Sequence, residues 1–295
     1  MDNQEFEIDK LKMLRGRPIK ISDLLTIYQP TLGEIEEAGE QKFINSAWIM
    51  CSSAWDMPSV FADAGIDFMS VPDWQFFIQT VRNFTIEDTK LIFGDLDFSK
   101  LVPMNFKKNK DDTESQIVLV NIEPMKIGEI TYQPAQYIFT EELYHKMIPY
   151  VREMIGFQHK GRKAGNRATA KILIMDDRKQ RNRHKNDNYE SMFYNGIISL
   201  VNTEEFSYTY DTIFSLTMYQ FTKSLLQIQG KKQACAMLQG SMSGFVDTSK
   251  IPSSSFQWMY SDEKYNKRHG KTLKESLAPD GGNLNIKPMN SDTPI

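Results

Sequence analysis

The chain reads as a mainly α protein with a small β-sheet. Three observations predict this. Apolar residues recur at steps of three and four over most of the length, as helices burying one face require. Runs rich in β-branched residues are confined to the neighbourhood of Ile19 and to residues 115–132. A hydrophobic content of 40%, with 12% aromatic residues, gives 295 residues ample material for a core. The expected order is a multi-helical N-terminal α+β region over 1–157 and a basic linker helix over 158–188. A C-terminal helical unit over 189–260 and a flexible tail over 261–295 follow.

Arg17-Pro18-Ile19-Lys20-Ile21 alternates like a short edge strand, and Thr31 with Glu34 then forms a Thr-x-x-Glu helix start. The helix is expected to run from about Leu32 into the Trp48 region. Its buried stripe would be Ile44, Trp48, Cys51 and Trp55, with Phe43 and Ala47 alongside. Two shorter helices are predicted at Asp73 to Arg82 and Ile86 to Phe93, the second ended by Gly94. Ile117 to Val120 and Ile127 to Tyr132 read as strands joined near Glu123-Pro124, and with Ile19 and Ile21 they are expected to build one sheet. Glu141 to Ile155 is helical in spacing, but Pro149 should kink or restart it because proline has no amide hydrogen to donate.

A long polar helix is predicted from about Arg167, apolar in its first half on Ala168, Ile172 and Met175. Residues 178–188 hold no apolar side chain and are expected to leave the core as a solvated arm or linker. Beyond it, Met192, Phe193, Ile197 and Leu200 make one stripe. Phe214, Met218, Phe221, Leu225 and Ile228 make a longer one, which should be buried. After Tyr260 the composition becomes charged and then Gly-, Asn- and Pro-rich, too poor in apolar residues to repay ordering.

Charge is segregated along the chain. Residues 160–185 hold ten Lys or Arg against Asp176 and Asp177, a net +8 that leaves −11 on the rest of a chain whose total is −3. Charge so divided suits an element that meets an anionic partner. The candidate partner-binding residues are Lys160, Arg162, Lys163, Arg167, Lys171, Arg178, Arg181, Arg183 and Lys185. Nucleic acid is one such partner, since Lys and Arg at this density neutralise phosphates. No aromatic residue lies between His159 and Tyr189, however, so a base would find nothing to stack on.

Candidate chemistry is sparse. Glu34, Glu36, Glu37 and Glu40 sit in the first turns of a helix, where its dipole favours negative charge, and no Glu-x-x-His accompanies them. Asp95-x-Asp97 follows Gly94 and reads as a turn rather than a cation site. His145, His159, His184 and His269 lack metal-ligand spacing, and Cys51 and Cys235 form no CxxC. No nucleophile elbow, P-loop or dinucleotide-binding turn occurs. The expectation is a non-enzymatic protein without cofactor or metal. An acidic start without an apolar h-region, and no apolar run of about 20 residues, predict synthesis in a reducing cytoplasm and no membrane span.

Two stretches carry a family resemblance. The first is Gly16-Arg17-Pro18-Ile19-Lys20-Ile21, continuing to Tyr28-Gln29-Pro30-Thr31-Leu32-Gly33-Glu34-Ile35 and Gly39-Glu40. The second runs from Ser191 through Leu200-Val201-Asn202 and Tyr208-x-Tyr210 to Leu216-Thr217-Met218-Tyr219-Gln220-Phe221, then Gly244 to Ile251 and Trp258. In these the chain resembles structural and tail-assembly proteins of tailed bacteriophages that infect Gram-positive hosts. The resemblance implies a tail assembly chaperone, a helical protein of the infected cell's cytoplasm that binds the tape measure and tail tube proteins. A minor virion component of the tail or baseplate is the alternative within the same setting. No catalytic residue comes with the resemblance, which rests on packing faces.

Overall fold

The structure is a computed structural model that describes residues 8–106, 116–159, 164–183, 189–204 and 206–242. Lys160, Arg162, Lys163, Lys185, His184, His269 and the expected flexible tail over 261–295 lie outside the described residues. Among the described residues the chain forms ten α-helices and seven short strands, a mainly α fold with small antiparallel sheets.

Helix α1 (Lys10–Leu14) precedes the hairpin of β1 (Ile19–Ser22) and β2 (Leu25–Ile27). Then come α2 (Leu32–Ala38), α3 (Glu40–Cys51), α4 (Pro58–Asp63), α5 (Asp73–Val81) and α6 (Ile86–Phe93). The strand-rich stretch holds β3 (Leu101–Phe106), β4 (Gln116–Asn121), β5 (Met125–Ile127), β6 (Ile130–Tyr132) and β7 (Ile138–Phe139). Helices α7 (Glu141–Ile155), α8 (Arg167–Arg183), α9 (Met192–Val201) and α10 (Met218–Met242) follow.

The helix expected from Leu32 to Trp48 is two helices. Thr31 caps α2, its hydroxyl accepting from the Glu34 amide while Glu34 accepts from the Thr31 amide, and Gly39 at φ 94° then breaks the chain between α2 and α3. Trp48 lies on the exposed side of α3, edge-on to Phe157, whereas Phe43, Ile44, Ala47 and Cys51 face inward. Helix α7 runs through Pro149 without interruption. Gly94 ends α6 at φ 61°, where a Cβ would stand 2.9 Å from the Tyr28 ring, so both conformation and space call for glycine.

The single sheet expected from Ile19–Ile21 and residues 117–132 is instead three small sheets: β1-β2, β3-β4-β7 and β5-β6, all antiparallel. The central strand β4 finds its neighbours in β3 and β7, with Val102 opposite Val120 and Leu119 opposite Phe139. Asn121 closes this region from a fully buried position. Its amide donates to the carbonyls of Glu123 and Gln133, both at 2.9 Å, and its oxygen accepts from the Tyr137 amide at 2.8 Å. Every polar atom of that side chain is matched, as burial demands.

The sheet is covered by α5 and α7. Trp74 donates from Nε1 to the Ile117 carbonyl at 3.0 Å, tying α5 to β4. Around it, Phe77 packs against Tyr144, Trp74, Phe139 and Phe98 at ring-centroid distances of 4.7 to 6.0 Å. This aromatic knot is the centre of the core.

The chain divides into two compact units, Met1–Thr222 and Lys223–Ile295. Backbone hydrogen bonds join residues 216–218 to the N-terminal part of the first unit. Thr31 bridges Thr217, the Leu32 amide donates to the Leu216 carbonyl at 2.9 Å, and the Met218 amide donates to the Pro30 carbonyl at 3.0 Å. Of the predicted stripe, Met218 and Phe221 are buried, but Phe214 is 37% exposed in a short 3-10 turn, where Ile213 takes the inward position. In the second unit Leu225 and Ile228 are half-buried. Phe221 meets Phe193 edge-on at 5.6 Å. Phe221→Ala is expected to cost about 3–5 kcal/mol, read as a lower urea midpoint at unchanged slope.

Candidate interaction surface

The basic segment is the candidate site, and α8 is its described part. Asn166 starts the helix: its side-chain oxygen accepts from the Thr169 amide at 2.9 Å and the Thr169 hydroxyl at 3.1 Å. Arg181 and Arg183 in the last turn suit the negative end of the dipole.

Up to Arg183 the helix is docked rather than a free arm, though residues 178, 179 and 181–183 are exposed; residues 184–188 of the expected arm lie outside the described residues. The helix lies against α4 and the turns around it. Ala170, 5% exposed, joins a cluster with Ala54, Phe68 and Phe76, to which Ile174, Ala164, Trp55, Met57 and Phe61 add their half-buried surfaces. The apolar stripe expected on Ala168, Ile172 and Met175 is the outward one, with Ile172 65% and Met175 68% exposed. The docked face is a second stripe, Ala170 and Ile174, displaced around the helix.

Polar contacts extend that docking. Helix α4 has no side-chain cap of its own at its start. Asp177 supplies one from α8, its Oδ2 accepting from the Ser59 hydroxyl at 2.7 Å and the Ser59 amide at 3.2 Å. At the other end of α4, Asp63 accepts from Arg178 and, at 2.6 Å, from Arg181. The Arg181 guanidinium first, then that of Arg178, holds the Asp63 carboxyl below the ordinary aspartate value of 3.8. The stabilisation this pair adds is present above that value and lost as pH falls through the lower folded one. Asp63→Asn is expected to remove that part of the acid sensitivity with little change at pH 7, since exposed pairs contribute little. Unfolding curves collected between pH 2 and 7 check this.

The candidate residues thus divide by role. Arg178 and Arg181 are engaged with Asp63. Arg167, Lys171 and Arg183 are exposed, and Lys179 joins Lys171 and Arg183 on the outward side. Met175, Arg178, Lys179, Asn182 and Arg183 line a shallow cleft there. Lys171, Lys179 and Arg183 form no ion pair among the described residues.

Sequence reading missed the work of Glu40. From the first turn of α3, it receives the Ser191 hydroxyl and the Met192 amide, both at 2.6 Å, so a carboxylate of α3 caps the N-terminus of α9. The Tyr189 phenol is pushed up to about 12, by burial first and then by its hydrogen bond to Glu40 and that carboxylate's charge. The Glu40-to-Ser191 separation of 151 residues leaves no local signal in the sequence.

Other reactive side chains are tied into the fold. Burial pushes the Cys51 thiol up to about 12 despite the nearby Arg152 charge, leaving it protonated at neutral pH. His159 lies 2.9 Å from Asp56, whose carboxylate also caps the turn at Ser53. Asp97 starts a 3-10 turn by accepting from the Ser99 amide, and Asp95 accepts from the Gly128 amide. Among the described residues no three His, Cys, Asp or Glu side chains gather as metal ligands would, and no helix is long and apolar enough to cross a membrane.

No curated protein and no solved structure matches the chain. One family does: residues 184–261, about a quarter of the length, are similar to the phage-associated domain family described as YomV second domain.

Proposed function

We propose that this is a non-enzymatic phage protein that acts through protein–protein contacts, as a tail assembly chaperone for the tape measure and tail tube proteins. The observation that carries the phage setting is the similarity of residues 184–261 to a phage-associated domain family. That region includes the whole of the second stretch resembling tail-assembly proteins. Contact function is supported by the side chains left outward on firmly held helices. Met192, Tyr194 and Ile198 project from α9 while Phe193, Ile197 and Leu200 anchor it. Tyr208 and Tyr210 are exposed in the segment that follows. Exposed aromatic and Met side chains on a rigid element are the usual material of protein interfaces.

The test is co-expression of the full chain with tape measure and tail tube proteins, followed by affinity capture and quantitative mass spectrometry of purified particles. Capture of either protein, with the chain absent from particles, is the expected result. Stoichiometric presence in particles would make it a tail or baseplate component. Binding to DNA or RNA alone, weakening steeply with salt, would make it a nucleic-acid-binding protein.

A further inference from the structure

The outward face of α8 combines features that the docking of this helix does not use. Lys171, Met175, Lys179 and Arg183 follow one another at steps of four, with Ile172 and Asn182 beside them. At 1.5 Å per residue the row is about 18 Å long. Its N-terminal half carries the apolar pair Ile172 and Met175, with Lys171 on one side of them and Lys179 and Arg183 on the other. The inward face already holds the helix to α4 through Ala170, Ile174, Asp177, Arg178 and Arg181. The outward groups are therefore presented on a fixed support.

We propose that this face docks an acidic amphipathic helix of a partner protein. The inference deepens the contact function proposed above and rests on it. Charge complementarity gives the sign: Lys171, Lys179 and Arg183 stand exposed on this face while Arg178 and Arg181 are taken up by Asp63, so its ligand is anionic. The apolar pair gives the class. Ile172 and Met175 gain by being covered with aliphatic side chains, whereas a phosphate backbone would meet only the cations and leave both residues wet. Spacing gives the shape, because rows at i and i+4 receive the matching rows of a second helix. Leucines of the partner would cover Ile172 and Met175, and carboxylates one or two turns away would meet Lys171, Lys179 and Arg183.

The experiment uses the full chain and three labelled probes in fluorescence anisotropy at ~0.15 M salt. The first is an 18-residue capped peptide designed with a Leu stripe flanked by Glu. The second has the same charge with each Leu replaced by Ser, and the third is a DNA duplex of similar charge. The Leu peptide is expected to bind ~10-fold or more tighter than either control, a difference of ~1.4 kcal/mol. Ile172→Ser with Met175→Ser is expected to erase that preference, and Lys171→Glu, Lys179→Glu, Arg183→Glu to abolish binding, with thermal melts unchanged in both variants.

No binding of the Leu peptide, equal binding of the Ser peptide, or tighter binding of the duplex would each overturn the proposal. Capture of tail proteins separates this failure from failure of the broader reading. If the triple Glu variant still captures them, they dock elsewhere and the α8 site is wrong while the contact function stands. If the wild-type chain binds the Leu peptide but captures neither tail protein, the site stands and its partner lies outside the tail.

Discussion

Phe77→Ala is expected to destabilise the first unit by about 3–5 kcal/mol, the range for emptying a fully buried aromatic site. The expectation rests on its neighbours. Phe77 is fully buried on α5 and touches rings from four other positions, Trp74, Phe98, Phe139 and Tyr144, on the same helix, the 3-10 turn before β3, β7 and α7. Those rings are held by their own elements, with Trp74 fixed to β4 by its indole hydrogen bond, so the cavity cannot collapse cheaply. Phe77→Leu keeps most of the volume and is expected to cost less than half as much. Chemical denaturation of both variants checks the order, and equal stability of Phe77→Ala and wild type would mean the knot is not the core.

Ala170→Asp is expected to release α8 from α4. The position faces Ala54, Phe68 and Phe76, where a carboxylate would have no partner. Burying an unpaired polar group costs at least ~2–3 kcal/mol, and a charged one more, so the helix would dissociate instead. Because the aromatic knot lies elsewhere, the main unfolding transition should move far less than in Phe77→Ala. Limited proteolysis is the discriminating measurement: cleavage within residues 164–183 should accelerate strongly while α5 and α7 stay protected. Loss of the whole fold would show that α8 is integral to the core.

Much of the helical layout could be read from the sequence because it is encoded locally. Thr31 with Glu34, Thr85 with Asp88 and Thr140 mark helix starts through atoms three residues apart, and Gly94 and Gly156 mark ends. The strands were less visible. Leu101–Phe106 contains Pro103 and an exposed end, and it is a strand because β4 lies beside it in register. Ile138–Phe139 is too short to show a period. The basic segment was visible as charge, but its orientation was not, because Ala170 and Ile174 compete with Ile172 and Met175 as apolar stripes. What decides between them is the cavity formed by Ala54, Phe68 and Phe76, more than 90 residues earlier in the chain. The broader lesson is that two stripes on one helix leave its rotation undetermined until the surface it docks on is known.

The α3 carboxylate that caps α9 bears on where a self-sufficient piece of this protein begins. Cutting the chain at residue 184, where similarity to the phage-associated family starts, keeps Ser191 but discards Glu40, which receives the Ser191 hydroxyl and the Met192 amide. The same cut discards Pro30 and Leu32, the backbone partners of Met218 and Leu216. Sequence kinship and physical independence are thus drawn along different lines. The start of α9 and residues 216–218 are bonded to the N-terminal half, so changes at either side of these contacts must be accommodated by the other.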